Sequence, residues 1–111
     1  PQAKIYRHSC ALGPVLLAGV PEEEVRGWTM RMEIRRAGRT VFEGQTSLAR
    51  LKRRFDELAG FLTRCQELPD GVVLLTGTGI VPPDDFCSEE GDEVRIECGP
   101  LGVLANPVVR V

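Results

Sequence analysis

No run in this sequence approaches the roughly 20 consecutive apolar residues that would cross a bilayer, and no stretch has the pattern of a secretory signal. A membrane-spanning helix is therefore not expected. Cysteine is sparse: Cys10, Cys65, Cys87 and Cys98 are irregularly spaced with no C-x-x-C pair, which argues against a zinc site or a redox dithiol. His8 and Cys10 would share one side of a strand, but two ligands without a second pair make a weak metal site. Positive charge is not in excess. Fourteen Lys and Arg against sixteen Asp and Glu give a net charge of −2, which argues against nucleic acid as the main partner. The sequence also starts at Pro1 without a methionine, so residues upstream are expected.

What is present is enough for one modest core and too little for two: 111 residues, 42% apolar and 27% charged, the composition of a folded soluble domain. Cys65 and Cys98 fall in phase with apolar neighbours and are expected to be buried thiols, in a reducing, cytoplasmic setting.

The chain is organised around residues 72–83. Val72-Val73-Leu74-Leu75 is an unbroken apolar run and reads as a strand buried on both faces. It breaks into Thr76-Gly77-Thr78-Gly79, and Pro82-Pro83 forbids a following helix. Backbone N–H groups and hydroxyls gathered at one point suit an anion or carboxylate. No Gly-Lys-Ser/Thr follows, so this is not a P-loop. From spacing alone, the plainer reading of a strand ending in a tight turn is favoured.

Before that stretch, Val15-Leu16-Leu17-Ala18 reads as a short strand, and Pro21-Glu22-Glu23-Glu24 as a helical turn or loop with solvated acids. Trp28, Met30, Met32 and Ile34 alternate with Thr29, Arg31, Glu33 and Arg35, giving a half-buried strand. Gly38 allows a tight turn, and Thr40 to Glu43 returns as the partner strand, with Glu33 and Glu43 pairing the arginines. Leu48, Leu51, Phe55, Leu58, Leu62 and Cys65 form one helical stripe opposite Arg50, Lys52, Arg53, Asp56, Glu57 and Arg64. The helix is placed at about 53–66, with a start as early as 47 also compatible, and its stripe is assigned to the core. Val94, Ile96 and Cys98 alternate with Glu93, Arg95 and Glu97 as a further strand, and Gly99 to Gly102 turns the chain towards Val103-Leu104. The expected fold is a β-rich α+β domain: a half-barrel or β-roll of short, mostly antiparallel strands with one packed amphipathic helix.

Leu74-Leu75-Thr76-Gly77-Thr78-Gly79 resembles the strand-and-turn signature of the fumarylacetoacetate hydrolase superfamily. So do Gly91-Asp92-Glu93-Val94-Arg95-Ile96 and the ending Leu101 to Val108. Glu43-Gly44-Gln45-Thr46-Ser47 followed by Phe55-Asp56-Glu57-Leu58 keeps the same order. Pro1 to Tyr6, with Ser9 to Pro14, is similar to the segment carrying the superfamily's lysine. The likeness spans nearly the whole chain and is strongest to the branch acting on sugar acids and 2-oxo acids.

The resemblance implies a divalent-metal-dependent enzyme acting on 2-oxo or 1,3-diketo acids. The reaction would be carbon–carbon hydrolysis, or decarboxylation, hydration, dehydration or isomerisation of sugar-derived acids. Magnesium or manganese would bind through a Glu-x-Glu pair and an Asp upstream of the lysine segment, so no metal ligand is assigned within this sequence. Lys4 matches the catalytic lysine. Thr78 matches the threonine that contacts substrate carboxylate, with Gly77, Gly79 and Thr76 completing the turn. The sequence thus reads as residues 1–111 of a catalytic domain's C-terminal part, inactive alone. The implied partners are a small oxo acid and a second copy in a homodimer, with Trp28, Met30 and Met32 as contact candidates. The alternative is a catalytically inactive β scaffold serving binding or assembly.

Overall fold

The computed structural model describes residue 5 and residues 7–111. Lys4 lies outside the described residues.

Alternation becomes a sheet where it was clearest. Strand β1 (Thr29–Arg36), β2 (Arg39–Ser47), β3 (Glu93–Cys98) and β4 (Val103–Pro107) form one open antiparallel sheet in the order β2-β1-β3-β4. Met30, Met32 and Ile34 of β1 face the same way as Thr46, Gly44 and Phe42 of β2 and Cys98, Ile96 and Val94 of β3. Ile34, Cys98 and Ile80 are the buried apolar residues among those described. The opposite face is charged, and its arginines are paired as expected: Arg31 with Glu43 at 2.9 Å and Arg35 with Glu33 at 2.9 Å. Hydrogen bonds from Arg35 and Thr40 hold the Glu33 carboxyl down to about 2.

The β1–β2 hairpin turns through Ala37 and Gly38, with φ of 50° and 77°. Two positive φ values in a two-residue loop match the twist of the flanking strands, but alanine pays for its Cβ there. Ala37→Gly is expected to stabilise the chain by about 1 kcal/mol, read as a higher urea midpoint at unchanged slope. An unmoved midpoint would show that the turn carries no such strain. Beyond the hairpin, register slips between Ile34 and Arg35, leaving Val41 as the extra residue of a bulge.

Several expectations need correction. Strand β2 runs on to Ser47, four residues past Glu43, because Gly44 stays in register opposite Met32 rather than opening a helical lead-in. Val15 to Ala18 forms no strand, and Leu16 is 93% exposed. Val72 to Leu75 is likewise no buried strand: no described strand pairs with it, and Leu75 is 69% exposed.

The helix is shorter than expected, α2 spanning Phe55–Leu62, with a 3-10 turn at Leu48–Arg50 before it. Its stripe is half-buried rather than core, and Phe61 is 57% exposed. Cys65, expected inside, is exposed with φ 59°, a left-handed conformation that a continuing helix would not allow.

The acidic triplet is not simply solvated either. Helix α1 (Glu22–Arg26) holds Glu22, whose carboxylate takes Arg26 Nε at 2.6 Å and the Phe55 N–H at 3.1 Å. Arg54 offers α2 no side-chain cap, so Glu22 caps it from a distance. Arg26 completes the clasp by donating to the carbonyls of Leu51 and Arg53 at 2.6 and 2.7 Å.

Candidate active site

The segment after Leu75 gains its position by lying on β2. A Cβ at Gly79 would come within 2.8 Å of Thr46 Oγ1, and one at Gly44 within 2.6 Å of Ile80 Cγ2. Further on, the Phe86 ring packs on Phe42 with centroids 6.0 Å apart. Contacts at Thr46, Gly44 and Phe42 in turn show that residues 79–86 run as a strap along the apolar face of β2, in the opposite direction. Two glycines are required because backbone meets side chain where two Cβ atoms would not fit.

The far end of the strap is pinned by the last residue of β1. Arg36 shares the phase of Met30, Met32 and Ile34 and so points to the apolar face of the sheet. There it donates to Asp92 through Nε and Nη2, at 2.8 and 2.9 Å, and through Nη2 to the Cys87 carbonyl at 2.9 Å. It also pairs with Glu89, and its guanidinium lies 5.9 Å from the centre of the Phe86 ring. Asp92 is 1% exposed and accepts the Glu89 N–H at 2.8 Å as well. Arg36 first, then the Glu89 N–H, lowers its carboxyl to about 2.

The near end presents Thr76-Gly77-Thr78-Gly79. Thr78 Oγ1 accepts the Ile80 N–H at 3.1 Å and donates to the Ile80 carbonyl at 3.0 Å, closing a local turn. Gly77 sits at φ 98°, which favours glycine. The turn lines a concavity of about 200 Å³ together with Met30, Ser47, Leu48 and Arg50. That volume is below the usual range for a complete small-molecule site. Ser47 Oγ accepts the Ala49 N–H at 3.2 Å and so starts the 3-10 turn that carries Arg50.

Four of the five sequence-derived site residues, Thr76, Gly77, Thr78 and Gly79, therefore line one recess. The fifth, Lys4, lies outside the described residues. Arg50 escaped the sequence reading because it fell on the polar side of the helical stripe. Its signal was the short segment between Thr46-Ser47 and the helix. Among the described residues, no three His, Cys, Asp or Glu side chains converge as a cage for a metal ion. The side chains described do not by themselves fit a divalent cation. Burial raises the Cys98 thiol's pKa, which makes it a poor nucleophile. No helix among the described residues is long and apolar enough to cross a membrane.

Comparison with known proteins gives these features a context. The family model described as fumarylacetoacetate (FAA) hydrolase, C-terminal, matches residues 1–109. A probable 2-keto-3-deoxyxylonate dehydratase of Haloferax volcanii is 36% identical over 111 residues, covering 100% of this chain and 38% of its own length. The 2-dehydro-3-deoxy-D-arabinonate dehydratase of Saccharolobus solfataricus is 36% identical over 108 residues, 97% of this chain and 36% of its own. A hexagonal crystal form of a 2-keto-3-deoxyarabinonate dehydratase superposes with a TM-score of 0.93 at 35% identity, covering 100% of this chain and 38% of that one. A 2-keto-3-deoxy-D-arabinonate dehydratase complexed with magnesium and 2,5-dioxopentanoate gives 0.88 at 35% identity, covering 96% of this chain and 38% of that one. The chain thus spans 36–38% of the length of the curated relatives it matches.

Proposed function

The chain belongs to the fumarylacetoacetate hydrolase family, and on that premise we propose that it is the C-terminal part of a magnesium- or manganese-dependent lyase that removes water from 2-oxo-3-deoxy sugar acids. The observation that carries this reading is the 36% identity, over the whole chain, to a probable dehydratase of such an acid. The relatives' named activities favour loss of water over carbon–carbon hydrolysis. The divalent ion is assigned to carboxylates outside this sequence.

In a 2-oxo-3-deoxy acid the C3 protons are acidified by the neighbouring carbonyl. Their removal prepares departure of the C4 hydroxyl, and negative charge develops on the 2-oxo oxygen. This chain's part is to hold the acid still while that happens. The Thr76–Gly79 turn binds the carboxylate, Thr78 by rotating its hydroxyl proton from the Ile80 carbonyl to the acid, and the Lys4 ammonium offsets the developing charge. The proposal includes a cytoplasmic homodimer. Four free thiols fit a reducing compartment, and the exposed Val72 to Leu75 offers apolar surface for contact with further polypeptide.

The test is to incubate the full-length polypeptide carrying this sequence with magnesium and 2-keto-3-deoxypentonates and follow the products by NMR. Formation of the dioxo acid with one water lost per turnover supports the reading; absence of turnover on every 2-oxo acid offered overturns it. Within an active enzyme, Thr78→Ala is expected to lower kcat/KM by about tenfold, while Thr78→Ser keeps most of it. An alanine variant with undiminished kcat/KM would remove the turn from substrate binding.

A further inference from the structure

Arg50 stands out when the cations near the recess are compared. Arg53 pairs with Glu57 at 2.6 Å, and Arg54 is surrounded by Glu22, Glu23 and Asp56 within 3.9 Å. Arg26 is spent on Glu22 and two carbonyls. Among the described residues, Arg50 has no ion-pair or hydrogen-bond partner and is the single charged residue lining the recess. It is also held there by design of the backbone, since the Ser47 cap starts the 3-10 turn whose last residue is Arg50. Thr76 to Gly79 line the same recess, and Met30, Leu48 and Leu51 add apolar surface.

We propose that Arg50 is a second carboxylate-binding element of this site, its guanidinium gripping the substrate acid together with the Thr76–Gly79 turn. The inference rests on the function proposed above and adds a residue that selects for the acid. A guanidinium offers paired N–H donors matched to a carboxylate, and hydroxyl and backbone N–H groups of the turn fill the remaining lone pairs. The apolar side of the recess suits the unsubstituted C3 methylene of a 3-deoxy acid better than a hydroxylated carbon, which would be left without a partner. An anionic acid is thereby selected over its ester, amide or lactone.

Arg50→Gln in the full-length enzyme tests this by steady-state kinetics. Because the carboxylate keeps its charge throughout the reaction, its grip is equal in ground and transition states, and the loss should appear in KM. KM is expected to rise about 10- to 100-fold with kcat within about threefold, and Arg50→Lys should recover part of the loss. Lys52→Gln, at an exposed cation outside the recess, should leave both constants unchanged and controls for general charge. Arg50 is exposed and unpartnered, so Tm should not move in the Gln variant. An active wild type with unchanged KM in Arg50→Gln overturns the Arg50 assignment alone. A wild type inactive on all 2-oxo acids overturns the functional reading and this inference together. A fall in kcat at constant KM would place Arg50 in the chemical step instead, and would also overturn the assignment.

Discussion

Replacing Asp92 with alanine is expected to lower the melting temperature of this chain by on the order of 15 °C. The reason lies in what remains. Arg36 would still be directed to the apolar side of the sheet by its phase in β1, but its two-point partner would be gone. The Glu89 N–H would lose its acceptor as well. Breaking an ion pair whose carboxylate is buried is costly, because half-buried Arg36 is left with only Glu89 and the Cys87 carbonyl to balance its charge. Asp92→Asn keeps the shape and one acceptor while removing the charge, and should fall between wild type and alanine. The pH dependence separates the ion pair from simple packing. The folded carboxyl titrates at about 2, below its ordinary 3.8, so its contribution is complete above about pH 4 and disappears as pH falls towards 2. The stability gap between wild type and Asp92→Ala should accordingly be constant in the neutral range and close in acid. A gap that persists undiminished at pH 2 would mean that the carboxylate's charge is not what stabilises the strap.

The parts of this fold that were legible in the sequence are those specified by local alternation. Strands β1 and β3 carry a period of two with polar residues on the other face, and both occur as read, with Ile34 and Cys98 in the core. Local pattern fails where the decisive contact is distant. Nothing local to Arg36 points to its partner Asp92, 56 positions away. Glu22 looked solvated because the N–H that it caps belongs to Phe55, 33 positions on. Helix α2 starts after Arg54 without a local side-chain acceptor, and such a start needs one from elsewhere. Val72 to Leu75 misled in the other direction. An apolar run implies that something covers it, but not that the cover is supplied by these 111 residues, which leave it exposed. Of the proposed site, Thr76 to Gly79 was suggested by its motif, whereas Arg50 comes into consideration only because the 3-10 turn places it at the same recess.

Gly44 ties stability to the site most directly, and Gly44→Ala should damage both. The new Cβ would lie 2.6 Å from Ile80 Cγ2 and 3.4 Å from the Phe42 ring, so at least one of them must move. Phe42 is fixed by its place in β2 and by the Phe86 ring, which leaves Ile80 to give way. Ile80 is buried and adjoins Gly79, itself laid against Thr46, so lifting it lifts the turn that carries Thr78. Overpacking of this kind costs about 1–3 kcal/mol. Because the recess depends on the strap lying flat, kcat/KM of the full-length enzyme should fall at temperatures where the variant is still folded. The companion change is Ile80→Leu, which removes the β-branch that the alanine would strike while keeping side-chain volume. Alone it should cost less than about 1.5 kcal/mol. Combined with Gly44→Ala it should cost less than the sum of the two single changes, a coupling measurable by a double-mutant cycle in urea. Strict additivity would mean that the strap is not seated on Gly44. A Gly44→Ala variant with reduced stability but undiminished kcat/KM would separate the seat of the strap from the recess it is proposed to build.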